Sequence, residues 1–416
     1  MKTSRRGFIK TLASGVGAAA FGSITAVSEW ANHELQSRTM TGLESATDYS
    51  LSPSVTYLNH GSIGTIPILI QQAHRHYLEL CETNPWLHMW GPEWVEPVEL
   101  SRQKAADFIN TKAENIAFTH NTTEVFNLIA QGFPLGPNDE VLFCNLNHAG
   151  ASIPFQVHSK TRGYKVRSFD FPTDQLPTIS IQQILDLYDR EISSNTKVLS
   201  IPHIDNTFGL RHPLKEIAKL ARSKGVELIA VDAAQTVGMI PINVSDLDVD
   251  VLATSTHKWI QSPKGVSFAY FSEKAQREIA PMWVTWGQNR WENSARIFED
   301  YGTRNLAEVV TLAHCFDFQK NSFKSGKTEK LQSLTRYAKT LAHQNPNTEW
   351  RSPNNWELSG SLFVIELKHK KPSTFSNEIF NQHGVVLRPF DNHSTIRVSP
   401  NSMNTKSEID TLFKLI

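Results

Sequence analysis

Cysteine is nearly absent from this chain, with three in 416 residues: Cys81, Cys144 and Cys315. They are too few and too scattered for a disulfide framework, so ordinary buried thiols are expected. Charge of one sign is missing too. The 41 basic and 41 acidic residues cancel to a formal +0, and without a basic stripe nucleic acid is not an expected partner. Beyond the first thirty residues no apolar run approaches the roughly 20 residues that a membrane span needs. Neither a Gly-x-Ser-x-Gly nor a His-Glu-x-x-His pattern occurs, which argues against a serine or metal hydrolase. Internal repeats and low-complexity tracts are also absent.

What is present has the composition of a globular enzyme, 40% hydrophobic and 20% charged. The length exceeds one ordinary core and suggests a large domain with a smaller one. At the N-terminus, Ser4-Arg5-Arg6-Gly7-Phe8-Ile9-Lys10 precedes a mildly apolar stretch, rich in Ala and Gly, that runs to Val27. This reads as a cleavable export leader of the twin-arginine type over residues 1–28, with the Tat translocon as partner and the periplasm as destination. A transmembrane anchor is the alternative, but the stretch is short and glycine-rich for a span. Residues 29–54 read as an arm or linker.

From Val55 onward, strand-like and helix-like segments alternate. Ile116-Ala117-Phe118, Glu140 to Cys144, Lys165 to Phe169, Val198 to Ile201, Leu228 to Asp232 and Val251 to Thr254 read as strands. Pro213 to Lys224 is the clearest helix, with Leu214, Ile217, Ala218, Leu220 and Ala221 on one face and Gly225 as its stop. This alternation predicts an α/β large domain over residues 55–306, built on a mainly parallel, doubly wound sheet. A smaller α+β domain is expected over residues 307–416.

Chemistry concentrates at the ends of these strands. Leu228 to Val231 ends in Asp232, and the next apolar run breaks into Ser255-Thr256-His257-Lys258. A carboxylate and a lysine on successive strands are what pyridoxal phosphate chemistry needs: the amine forms a Schiff base and the carboxylate keeps the pyridine nitrogen protonated. Asp232 alone is as well explained as a turn or cap residue. Asn121-Thr122-Thr123-Glu124 opens a helix whose free N–H groups and hydroxyls suit a phosphate, although plain capping explains Asn121 equally. Ser255 and His257 flank the lysine and can donate to the same anion. His148 follows a strand and can stack on a ring; Asn206 and Gln235 can reach a phenolic oxygen. Each of these has an ordinary structural explanation when taken singly.

Together these motifs resemble the class V aminotransferase family, fold-type I pyridoxal phosphate enzymes that include cysteine desulfurases and isopenicillin N epimerases. The resemblance spans about Val55 to Val398. Leu58-Asn59-His60-Gly61-Ser62-Ile63-Gly64 and Tyr301-Gly302-Thr303-Arg304-Asn305 look most like the epimerase branch. It implies that Lys258 is the Schiff-base lysine, Asp232 the pyridine-nitrogen partner, His148 the stacking residue, and Asn206 and Gln235 neighbours of the phenolic oxygen. Thr122, Thr123, Ser255 and His257 would hold the phosphate. Thr303 would reach the phosphate of a partner subunit in a homodimer. Arg397 would bind the substrate carboxylate, with Arg388, Asn59 and His60 as further substrate-binding candidates. The loop Pro389-Phe390-Asp391-Asn392-His393-Ser394 lacks the cysteine that desulfurases place between these two arginines.

The expected activity is therefore removal of an α-proton from an amino acid or peptidyl amine, followed by epimerisation or transamination. The alternatives are a C–S or β-lyase, a periplasmic enzyme tailoring a siderophore or peptide, and a non-catalytic binding protein that keeps the fold. Tat export of an already folded chain suits a cofactor loaded before transport. The tryptophans from Trp86 to Trp94 and at Trp283, Trp286 and Trp291 can form a mouth for a bulky substrate, or equally core or dimer interface.

Overall fold

The computed structural model describes residues 43–285 and 290–416. The expected leader at 1–28, most of the expected arm at 29–54 and Trp286 lie outside the described residues.

Strand β1 (Thr56–Tyr57) opens the fold. Then come β2 (Ile116–Thr119), β3 (Glu140–Cys144), β4 (Lys165–Phe169), β5 (Thr196–Pro202), β6 (Leu228–Asp232), β7 (Val251–Ala253) and β8 (Ser267–Phe271). These seven form one sheet in the order β2-β8-β7-β6-β5-β3-β4. The pairings β3/β4, β3/β5, β5/β6 and β6/β7 are parallel, and only β8 runs against its neighbours. Every residue of β2, β3, β6 and β7 is buried, as expected of strands covered on both faces.

The later strands β9 (Thr348–Trp350), β10 (Phe363–Leu367), β11 (Val385–Val386), β12 (Arg388–Phe390) and β13 (Thr395–Val398) serve a smaller layer. A four-stranded antiparallel sheet runs β12-β13-β10-β9, and β11 pairs in parallel with β1. The molecule is thus α/β, with a large mainly parallel sheet and a smaller antiparallel one, as the alternating pattern predicts.

The crossover helices follow from their sequences. Leu214–Ser223 buries Leu214, Ile217, Ala218 and Ala221, the predicted face, and Gly225 beyond it takes φ +88°. Leu220, expected on the same face, is only half-buried. Ile181–Glu191 starts with a reciprocal capping box between Ser180 and Gln183. Leu306–Lys324 departs from the amphipathic rule because it is buried on nearly all sides, packed by the helices Ile68–Thr83 and Val95–Ile109.

Three apolar clusters form among the described residues. One fills the large sheet and its helices around Phe126, Phe155, Val198 and Phe271. A second lies under the small sheet around Leu334, Phe363, Ile396 and Leu412, and it includes Leu58. Leu58 and β1 therefore stitch the start of the expected large domain to the C-terminal layer. A third cluster of Ile204, Met239, Ile240, Trp259, Leu331 and Leu362 sits between them. It includes the residue next to Lys258.

Candidate active site

In parallel sheets the carboxyl ends of the strands face a common crevice. Here Asn121-Thr122 follows β2, His148 follows β3, Asn206 follows β5, Asp232 ends β6, and Ser255 to Lys258 follow β7. The fold thus gathers at one edge residues spread over more than a hundred positions.

Lys258 lies in a turn braced from several sides. Its own N–H bonds to Ser255 O (3.1 Å), and Gly64 N donates to His257 O (2.8 Å). Gly64 is so close that an added Cβ would stand 1.9 Å from Lys258 O, and a Cβ at Gly238 would stand 2.5 Å from the Trp259 carbonyl carbon. Downstream, Gln261 adopts φ +62° and is held by Gln319 Nε2, which donates to Gln261 Oε1 (2.9 Å) and Ile260 O (3.2 Å). Thr254, Thr256, Ser262 and Ser267 form a buried hydroxyl ladder beneath the turn. A lysine on such a mount has little positional freedom. Burial pushes its amine down to about 8, with Asp232 opposing the shift and Arg397 adding to it.

Asp232 is buried, and its Oδ1 accepts from Ala234 N (2.9 Å). His148 is exposed, with Nδ1 accepting from Gly150 N (3.0 Å). Burial of part of the ring lowers its pKa; Asp232 opposes this, and Lys258 and Arg397 add to it.

The helix Thr122–Gly132 begins as predicted, with Asn121 Oδ1 accepting from Glu124 N (3.2 Å). Thr122 Oγ1 and Ser255 Oγ are 2.9 Å apart, and Thr122 N donates to Ser255 Oγ (3.3 Å). This joins the helix N-terminus to the lysine turn. An added Cβ at Gly150 would lie 2.5 Å from Thr123 Oγ1 and 3.2 Å from His148 Nδ1, so the His148 loop abuts the same cup. His257 is half-buried, its pKa pushed down to about 4 by burial, Lys258 and Lys264, which leaves a neutral imidazole beside the lysine.

Arg397 is 3% exposed. Its Nη1 donates to Asn206 O (2.7 Å), and its Nη2 donates to Asn59 Oδ1 (3.2 Å) and Ser62 Oγ (2.5 Å). Nε is buried without a protein partner. Burial, with Arg388 close by, lowers the Arg397 pKa to about 10, against the pull of Asp205. Arg388 stands opposite Arg397 in the β12/β13 register and is exposed, its guanidinium 5.8 Å from the Phe390 ring centroid.

Some expected residues behave differently. His60 is fully buried, its ring against Tyr57 and Trp259, so it is sealed from substrate and forms a wall behind the site. Ser62, two residues on, makes the contact to Arg397 instead. Gln235 is committed to structure, since Nε2 donates to Gly61 O (2.7 Å) and Oε1 accepts from Trp259 Nε1 (2.8 Å). One amide hydrogen remains for any other partner. Thr303 is exposed and lines a separate cavity of about 280 Å³ with Trp90, Trp94, Trp291, Arg102 and Glu299. Trp86 and Trp90 are exposed, whereas Trp94 is buried.

The three cysteines are free and buried. Burial raises the Cys144 pKa to about 12, and it also raises those of Cys81 and Cys315. Thiols so disposed are poor nucleophiles. In the hairpin between β12 and β13, Asp391 accepts from Ser373 N (2.8 Å) and Ser373 Oγ (2.7 Å).

The residues fit pyridoxal phosphate. They supply an amine of lowered basicity, a buried carboxylate, an exposed imidazole face, a hydroxyl-lined helix N-terminus, and a buried guanidinium N–H awaiting an acceptor.

Comparisons with known proteins agree. The chain is 26% identical over 396 residues to the isopenicillin N epimerase of Amycolatopsis lactamdurans, covering 87% of this chain and 94% of the relative. It is also 26% identical over 389 residues to a cysteine desulfurase of Haloferax volcanii, covering 87% and 88%. Equal identity to proteins of two activities does not select a reaction. Among solved structures, the fold superposes on the Escherichia coli cysteine desulfurase CsdA with TM-score 0.76 at 22% identity, covering 89% of this chain and 96% of that one. It superposes on the cystine C-S lyase C-DES with TM-score 0.79 at 19% identity, covering 87% and 97%. The family model for class V aminotransferases matches residues 56–412, and the chain belongs to that family of pyridoxal phosphate enzymes.

Proposed function

We propose that this enzyme removes the α-proton of a small amino acid, or of an aminoacyl group with a free carboxylate, with Lys258 as the base. The observation that carries the reading is the convergence of His148, Asp232 and Lys258 at the carboxyl ends of β3, β6 and β7, with the buried Arg397 of β13 bonded to the Asn206 carbonyl in the loop after β5. Bound pyridoxal phosphate supplies an electron sink for the charge that develops at the α-carbon. Thr122, Thr123, Ser255 and His257 would hold its phosphate at the helix N-terminus, where the dipole favours an anion. Asp232 would keep a proton on the ring nitrogen, and His148 would pack against the ring. Asn206 and the remaining Gln235 hydrogen serve the phenolic oxygen. Arg397, with Asn59 and Ser62, orients the substrate carboxylate. Lys258 Nζ would hold the cofactor covalently and, with its lowered basicity, would serve as the base for the α-proton.

Two fates of the substrate remain in play. Return of the proton to the opposite face gives epimerisation, in keeping with the epimerase relative. Loss of a β-substituent gives a C–S lyase, in keeping with the desulfurase relatives. The persulfide route of desulfurases is disfavoured by the absence of cysteine from residues 389–394 and by the buried, weakly acidic thiols. We place the working unit as a homodimer in which Thr303 reaches the partner's phosphate. A periplasmic location rests on the Arg5-Arg6 leader alone.

The test is a spectral titration of the loaded enzyme with amino acids, with product analysis. Loss of α-deuterium with inverted configuration identifies an epimerase, and release of sulfide or pyruvate identifies a lyase. Conversion to the pyridoxamine form would identify a transaminase instead. An absorption spectrum unmoved by every amino acid, and by small peptides with a free carboxylate, would overturn the reading.

A further inference from the structure

We propose that Asp205 is a positioning residue for Arg397 and so for recognition of the α-carboxylate; this rests on the reading of Arg397 as the carboxylate anchor. Asp205 is fully buried in the loop after β5. Its Oδ1 accepts from Thr207 N (2.8 Å) and Phe208 N (2.7 Å), and its Oδ2 accepts from Leu210 N (2.6 Å). Its own N–H bonds to Leu210 O (3.0 Å), closing the loop on itself. Gly209, at φ +74°, lets the loop press against the smaller layer, where an added Cβ would stand 2.0 Å from Leu362 O.

Three amide donors on one carboxylate brace the loop from within. The peptide they fix next is that of Asn206, whose carbonyl accepts from Arg397 Nη1 at 2.7 Å. The other acceptors of Arg397, Asn59 Oδ1 and Ser62 Oγ, are neutral, and Arg388 stands opposite with a like charge. Like charges directly opposite across strands repel. The Asp205 carboxylate opposes both that repulsion and the burial of Arg397. It therefore acts twice, setting the orientation of the carbonyl that aims the guanidinium and compensating its charge.

The test uses Asp205→Asn, which replaces one acceptor oxygen with a donor facing the loop amides. Asp205→Ser serves as a second variant, because a hydroxyl still caps such a loop without charge. Loaded enzyme is titrated with glycine, which carries an α-carboxylate, and with ethylamine, which does not, following the shift of the cofactor absorption band. Both variants should weaken glycine about tenfold, the scale of a disturbed charge-assisted hydrogen bond, and leave ethylamine within about twofold. Equal weakening of both ligands would show general damage and overturn the proposal. Unchanged glycine affinity in both variants, with Arg397→Ala weakening glycine, would overturn it as well. If Arg397→Ala leaves glycine unaffected, the underlying reading of Arg397 fails instead.

Discussion

Gly64→Ala tests the mounting of Lys258 with a single methyl group. Gly64 is not among the glycines at positive φ, so alanine meets no torsional penalty there and the effect comes from Cβ alone. That Cβ would stand 1.9 Å from Lys258 O and 2.9 Å from His257 O, whereas ordinary contact begins at about 3.4 Å. One backbone must retreat by about 1.5 Å, and the Lys258 turn cannot do so freely because Gly238, Gln261 and the hydroxyl ladder hold its other sides. Overpacking of this kind costs about 1–3 kcal/mol of stability. A shift of about 1 Å at a reacting group can cost on the order of 10²-fold in rate. The assay pairs thermal unfolding with turnover and with the fraction of chains that retain cofactor covalently after borohydride reduction. We expect a lowered Tm, turnover down by about 10²-fold and reduced covalent loading. Wild-type values for all three would show that Gly64 does not abut the lysine turn, and would refute the bracing argument.

Three further outcomes follow. A lysine whose pKa falls on folding, here from 10.5 to about 8, costs stability while protonated, so cofactor-free protein should gain stability as pH rises from about 8 toward 10.5. The rate of cofactor capture, followed by absorbance, should level off just above pH 8; a rise continuing to pH 10.5 would contradict this. Asp232→Asn keeps an acceptor for Ala234 N–H but loses the charge, so turnover should fall by about 10²-fold or more with Tm little changed, whereas wild-type turnover would remove Asp232 from the mechanism. Arg102→Ala would leave Glu299, whose pKa its partners hold down to about 2, buried with Arg304 and the Phe118 N–H beside it, and should cost about 3–5 kcal/mol by denaturant unfolding; a loss under 1 kcal/mol would show that these two suffice.

The sequence makes local chemistry legible and distant geometry obscure. Asp232 and Lys258 stand at the ends of apolar runs, and strand-end position follows from the chain pattern itself. Asn121 was readable as a cap because capping acts within three residues. Ser62 was not readable as a partner of Arg397, since 335 residues separate them and a lone serine in a glycine-rich turn carries no signal. The same holds for Gly64, whose role depends on a loop almost two hundred residues away, and for Asp205, which looks like any turn aspartate. His60 misled because the motif around it lies at the site while its own side chain points into the wall. The mainly parallel sheet was predictable from alternation, but the pairing of β1 with β11 joins two-residue strands at opposite ends of the chain and leaves no periodic trace.

The most direct test of the central claim is to load the protein with pyridoxal phosphate, reduce it with borohydride and map the modified peptide by mass spectrometry. The account predicts one pyridoxyl group per chain, on Lys258, and none in Lys258→Ala. A label on another lysine, such as Lys264 or Lys327, or no label at all, would contradict it.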